Sequence, residues 1–252
     1  MKKLVINILL ILIFAGSVYS TGIDSLYYKA NAAYNNQYYE DAVKNYLKIV
    51  DAGYESADLY YNMGNAYFKS DDIPSAILYY EKALKLRSND EDIQYNLDVA
   101  NTKIVDKIEP VPVLFYKKWW RSFYNMFTAN IWAMISVGGL ILFIVLLAFY
   151  LLSRSIRVRK LSFFTGLVFL GITLFTFTVS LQKYRHLTNK REAIVFTPTI
   201  TVKSSPNQNS VDLFVIHEGS KVELRDHVGS WYEIRIANGS VGWLPESALK
   251  QI

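Results

Sequence analysis

The chain has 252 residues, 52% of them hydrophobic, with no cysteine, so disulfides, thiol nucleophiles and thiolate metal sites are excluded. Its formal net charge of +5 is unevenly spread: residues 22–110 carry 9 Lys/Arg against 15 Asp/Glu, residues 111–192 carry 11 against 1, and residues 193–252 carry 5 against 6. The basic excess therefore flanks an apolar middle, and neither end has the footprint of a nucleic-acid binder.

Met1-Lys2-Lys3, the apolar run Leu4–Phe14 and the small residues between it and Ser20 have the three parts of a secretory signal. Residues 1–20 are therefore expected to be a signal peptide, with Ala15/Ser17 or Val18/Ser20 as the small pair before the cut. An uncleaved N-terminal anchor is the alternative. Either one exports the segment after Ser20.

Residues 21–109 contain a period of 34: Tyr27, Tyr61 and Tyr95 recur at that spacing, as do Ala32, Ala66 and Ala100, and Tyr46 and Tyr80. The unit resembles the tetratricopeptide repeat, two antiparallel helices per copy. Its best copy is Ala57–Asp90, with Tyr60, Met63, Gly64 and Tyr67 at first-helix positions and Ala76, Tyr80 and Ala83 at second-helix positions. Ser88 stands where the family closes with proline, and Asp98 where it has a small residue. The third unit is expected to end in a short second or capping helix over Thr102–Ile108. Stacks of such repeats bind partners in a concave groove lined by the first helices. That resemblance places Tyr27, Asn31, Tyr34, Tyr61, Asn65, Phe68 and Tyr95 in the groove, with Asp24, Asp58 and Asp92 at its edge. Asn side chains offer a peptide backbone a donor and an acceptor each. The same residues alternatively serve repeat stacking. Tyr27, Asp92 and Asn96 occupy places where a carboxylate clamp needs cations, so that subtype is rejected, and the acidic arm favours a basic or neutral partner segment.

Residues 110–129 form a connector with an aromatic-cationic stretch, Lys117-Lys118-Trp119-Trp120-Arg121, of the kind that lies at a membrane surface. From Ser122 to Ser153, and again from Leu161 to Gln182, there is no Asp, Glu, Lys or Arg. Twenty-odd helical residues cover roughly 30 Å, the hydrocarbon thickness of a bilayer. Transmembrane helices are therefore expected over 130–152 and 161–181, closely packed through Gly138, Gly139, Gly166 and Gly171. The loop 153–160 between them carries Arg154, Arg157, Arg159 and Lys160. Cations also flank the far ends, so the positive-inside rule leaves orientation open. The export signal breaks the tie: loop in the cytoplasm, both soluble arms outside. Residues 182–192 read as a polar stalk.

In residues 193–252 the pattern changes to period two, with Val222 and Leu224, then Tyr232, Ile234 and Ile236, as the apolar members, and Asn238-Gly239 as a hairpin turn. Short strands over about sixty residues make a small barrel. Thr201–Pro206, Glu218–Val222, Trp231-Tyr232 and Val241–Leu244 come in the order of the bacterial SH3 domain, which they resemble, with Lys203 and Ser205 replacing that family's usual Arg and Gly. The resemblance implies a ligand groove beside Trp231, Tyr232 and Trp243. Alternatively these rings pack the barrel.

Catalytic signatures are missing: His186, His217 and His227 are scattered, the last two read as surface residues, and there is no phosphate loop, metal pair or nucleophile motif. No enzyme activity, cofactor or metal is expected. The fold class is multidomain: an all-α repeat arm, a two-helix transmembrane hairpin and a small all-β SH3-like barrel. That order is similar to the BatE-type proteins of bacterial aerotolerance operons. The resemblance implies a scaffold or adaptor of the inner membrane with both arms in the periplasm, partnered by Bat-type von Willebrand A proteins and a MoxR-type ATPase. The lipid bilayer is a further partner, with cell-wall (peptidoglycan) binding through the barrel as the alternative function.

Overall fold

The computed structural model describes residues 20–109, 111–112, 114–189 and 191–252; residues 1–19 of the expected signal peptide lie outside the described residues. Five helices open the described residues: α1 Ser20–Asn35, α2 Tyr39–Asp51, α3 Ala57–Lys69, α4 Ile73–Leu86 and α5 Glu91–Asn101. The starts of α3, α4 and α5 are set by side chains that accept from free backbone donors: Ser56 from Leu59 N, Asp72 from Ser75 N, and Asp90 from Asp92 N and Ile93 N. The turns within the repeats place Gln37 and Asp71, 34 residues apart, at φ 65°. Small residues let the helices touch. A Cβ on Gly64 would lie 2.5 Å from the Tyr80 ring, and Ala42, Ala66, Ala76 and Ala83 are fully buried. Tyr46, Met63, Tyr80, Ile93 and Leu97 fill the rest of the core.

Past α5 the expected short helix over Thr102–Ile108 does not form. The chain turns at Thr102 and Lys103, bends at Ile104 and Val105 and then runs without regular secondary structure, because its apolar residues have another surface to cover: Ile104 packs toward the repeat core and Ile108 toward the barrel core. Lys107 closes α5 by donating to the Asn101 and Thr102 carbonyls.

Within the connector, α6 spans Phe115–Asn125 and leads to two helices long and apolar enough to cross a membrane, α7 Ala129–Leu152 and the helix Ile156–Asn189, α8. The interhelical seam is small and polar at chosen points. Ser136 Oγ donates to the Thr173 carbonyl (3.1 Å) and Ser180 Oγ to the Ala129 carbonyl (2.9 Å), with Gly139 against Thr173 and Gly166 against Phe143 and Leu146. Gly138 and Gly171, expected in the same seam, have no neighbour where a Cβ would stand. The eight-residue loop contracts to Ser153–Ser155, and the stalk is no separate element, since α8 runs unbroken to Asn189. No proline interrupts residues 156–189, so charge changes along that stretch without ending the helix.

The last sixty residues form seven antiparallel strands: β1 Glu192–Val195, β2 Thr199–Lys203, β3 Asp212–His217, β4 Lys221–Val228, β5 Trp231–Arg235, β6 Val241–Pro245 and β7 Leu249–Gln251, in the order β3-β2-β6-β5-β4-β1-β7. Val202, Ile216, Val222, Ile234 and Leu244 form their core. Asn238-Gly239 is a hairpin turn in which the Gly239 N–H donates to the Ile236 carbonyl and Gly239 has φ 94°.

The two soluble arms are docked on one another. In β1, Ala193 and Val195 enter the barrel core while Ile194 enters the core of the repeats, so both faces of this strand are buried. In the strap after α5, Ile108 packs against the barrel core, and further on the Val111 N–H donates to the Ala237 carbonyl.

Candidate functional site

The concave face of the repeats carries a ladder of amides and phenols that reproduces itself at the repeat period. In the first rung Tyr46 Oη donates to Asn31 Oδ1 (2.5 Å), and Asn62 Nδ2 donates to Tyr27 Oη (2.8 Å) and Asn31 Oδ1 (3.4 Å). In the second, Tyr80 Oη donates to Asn65 Oδ1 (2.7 Å), and Asn96 Nδ2 donates to Tyr61 Oη (2.9 Å) and Asn65 Oδ1 (2.9 Å). Burial, followed by the neighbouring phenols, holds the Tyr46 and Tyr80 hydroxyls above their ordinary pKa, so both remain donors.

An amide oxygen has two lone pairs, and in Asn31 and Asn65 both are taken. These two residues therefore have only their N–H groups left to offer and cannot act as combined donor and acceptor. Asn31, Tyr34, Asn35, Tyr46, Asn62 and Asn65 line a cleft of about 280 Å³ at this face. Of the residues expected in the groove, Asn31, Tyr34 and Asn65 line it, and Tyr27 and Tyr61 brace it from within. Phe68 packs against the repeat core, and Tyr95 stands exposed on α5, where the stack provides no further rung. Asn35, Tyr46, Asn62 and Asn96 are additional to the expected set, although the spacings 62/96 and 46/80 repeat the period. Among the edge aspartates, Asp58 is held by the Arg87 guanidinium at 3.0 Å to each carboxylate oxygen.

On the barrel the expected trio separates. The pairs Trp231–Pro245 and Glu233–Trp243 put Trp231 and Trp243 on one face as diagonal neighbours, half-buried and outside the barrel core. Tyr232 faces the opposite way, packs on the core, and lies 4.3 Å from the His227 ring between centroids.

His217 is not a free surface residue. Its backbone N–H donates to Asp106 Oδ2 (2.6 Å) and its Nδ1 lies 2.8 Å from Asp106 Oδ1, while Ser220 Oγ donates to Oδ2 (2.8 Å). Burial opposes charge on Asp106, but these hydrogen bonds outweigh it and hold the carboxyl below its ordinary pKa. Beside it Lys221 bridges Glu81 (2.7 Å) on α4 and Glu192 (3.0 Å) on β1. Burial disfavours this ammonium, yet the two carboxylates raise its pKa overall. At the other end of the repeat arm, Lys183 of α8 is buried and donates to the Phe127 carbonyl (2.7 Å), the Tyr124 carbonyl (3.4 Å) and Ser88 Oγ (3.5 Å). Asn89 Nδ2 donates to the Asn125 carbonyl. Repeat loop, connector helix and apolar hairpin thus meet at one ammonium.

Among the described residues no three His, Cys, Asp or Glu side chains are grouped to hold a metal ion. Residues 57–90 match the tetratricopeptide repeat family, and residues 198–250 match the bacterial SH3 domain family. Both are non-catalytic interaction modules. No curated protein matches the chain.

Proposed function

We propose that this protein is a non-enzymatic, membrane-anchored scaffold of the bacterial cell envelope that docks partner proteins in the cleft of its repeat arm. The observation that carries this reading is the cleft itself, floored by a satisfied amide–phenol ladder and rimmed by Tyr34 and Asn35. A floor whose polar groups are already paired holds its shape without a ligand, so binding loses little free energy in ordering it. The two apolar helices would be the anchor, and the export-type N-terminus would place both arms in the periplasm. The domain order is similar to that of the BatE-type aerotolerance proteins, which makes von Willebrand A envelope proteins and a role in oxygen or stress tolerance the first hypothesis for partner and process.

Alanine at Asn31, Tyr61 or Asn65 would break internal hydrogen bonds and confuse folding with binding. The informative variants are Asn35→Arg and Asn35→Trp, at an exposed position of the rim, in full-length protein purified in mild detergent. Both are expected to lose co-purified partner while thermal unfolding moves little. Partner recovery equal to wild type in both would remove the cleft from the function.

A second reading is favoured by the outward Trp231–Trp243 pair, which leaves two aromatic surfaces where a barrel core needs none: the SH3-like domain would hold cell-wall glycan or stem peptide. Full-length protein should then sediment with purified peptidoglycan and Trp231→Ala/Trp243→Ala should not. A clean supernatant for the wild type sinks this reading.

A further inference from the structure

The connector helix α6 presents six aromatic residues and three cations sorted onto different faces. Phe115, Tyr116, Trp119, Trp120, Phe123 and Tyr124 recur at i, i+1, i+4, i+5, i+8 and i+9, one side of a 3.6-residue helix. Lys117, Lys118 and Arg121 occupy the other side, and the helix contains no acidic residue. The aromatic side is itself divided. Trp120 and Phe123 turn to the apolar hairpin, with Trp120 6.5 Å and Phe123 6.1 Å from the Phe175 ring and Phe123 5.5 Å from Trp132. Phe115 and Trp119 face outward, 85% and 72% exposed. Lys183 fixes the helix end by donating to the carbonyl of Tyr124 in its last turn.

Phe175, which Trp120 and Phe123 meet, is itself part of the outward apolar surface of α7 and α8, where Leu140, Ile144, Phe164 and Leu167 are also exposed. A soluble partner would have to cover that belt and the helix together. A bilayer covers both at once. We propose that α6 is a lipid-binding helix that lies in the headgroup layer with Phe115 and Trp119 at the acyl boundary, and that Lys117, Lys118 and Arg121 make it selective for anionic phospholipid. This rests on the reading of α7 and α8 as membrane spans. Amphipathic rings prefer that depth, and each cation near an anionic surface strengthens attraction to it about fivefold.

The test is full-length protein reconstituted in phosphatidylcholine vesicles containing either dibromo-phosphatidylcholine or dibromo-phosphatidylglycerol, with tryptophan quenching read in a W132F/W231F/W243F background. Trp119 and Trp120 are then the only tryptophan emitters. Quenching by both lipids is expected, stronger with phosphatidylglycerol, and Lys117→Gln/Lys118→Gln/Arg121→Gln should erase the difference while quenching by phosphatidylcholine persists. Equal quenching by the two lipids in the charged protein overturns the anionic selectivity. No quenching by either overturns the lipid assignment and points to a protein cover. Resistance of the same protein to carbonate extraction reports the hairpin separately, so loss of that resistance identifies failure of the membrane reading and not of α6.

Discussion

Asp106→Ala should undock the two soluble arms. The Asp106 carboxylate accepts from the His217 backbone N–H, lies in hydrogen-bond reach of His217 Nδ1, and accepts from Ser220 Oγ, with its side chain only 15% exposed. Hydrogen bonds to a charged acceptor contribute about 1.5–3 kcal/mol each, and three on one carboxylate are not additive. A loss of about 3 kcal/mol is therefore expected, which lowers the docked-to-undocked ratio by roughly a hundredfold. Because the chain has no cysteine, spin labels at Tyr38→Cys and Val228→Cys, both exposed positions on different arms, attach cleanly. Their distance distribution should be narrow in otherwise wild-type protein and broad in the Asp106→Ala variant. Asp106 has a depressed carboxyl pKa, so its contribution is present above the unfolded value of about 3.9 and fades as pH falls toward the folded one. Lys221 has a raised pKa, so its contribution is present below 10.5 and fades as pH rises through the folded value. Docking should therefore loosen as pH falls below about 4 and as it rises above about 10.5. An unchanged, narrow distribution in the Asp106→Ala variant would refute the reasoning.

Gly219→Ala attacks the same joint sterically, since φ is 84° and the new Cβ would stand 2.4 Å from Ile104 Cγ2; a drop in stability of about 2 kcal/mol or more is expected in thermal unfolding. Asn65→Ala should cost about 1–3 kcal/mol by leaving the buried Tyr80 hydroxyl without its acceptor, and Asn65→Ala/Tyr80→Phe should recover part of that in a double-mutant cycle. No recovery would mean that the ladder is not what holds Tyr80. Gln37→Gly and Asp71→Gly should each raise stability by about 0.5–1 kcal/mol in denaturant titration, because both residues sit at φ 65°. Lys183→Met should free the end of α6, read as faster proteolysis at Lys117, Lys118 or Arg121 in detergent.

The repeats, the apolar hairpin and the barrel strands are legible in the sequence because each has a period or a charge-free run that one segment carries by itself. The features that escape the sequence are relational. Cations after Leu181 suggest the end of a membrane helix, yet they mark only a change of surroundings; a helix continues until a breaker or a cap stops it, and residues 156–189 contain no proline. The groove asparagines are found by their spacing, but spacing does not say whether an amide faces a ligand or the next rung. Asn62 and Asn96, also 34 apart, carry the missing half of that answer. The irregular strap after α5 reads as a helix only while its apolar residues are assigned to the repeats alone. One signal of docking is present in the sequence. Ala193-Ile194-Val195-Phe196 is an uninterrupted apolar run at the start of a segment that otherwise alternates, the mark of a strand buried on both faces.

That docking also constrains the membrane topology more firmly than loop charges do. The arms are separated in sequence by α7 and α8, yet Ile194 lies in the repeat core, Lys221 binds Glu81, and the Lys85 ammonium reaches the Ile252 carbonyl at 2.9 Å. None of these contacts can form across a bilayer. If the hairpin spans a membrane, both ends leave it on the same side, which two crossings provide and one or three would forbid. The turn Ser153–Ser155 then lies alone on the opposite side, with Arg157, Arg159 and Lys160 next to it in the first turns of α8. Under the proposed scaffold reading, a partner in the cleft would be held at a fixed attitude to both the barrel and the anchor, because a carboxylate, an ammonium and one strand shared by two cores join the arms.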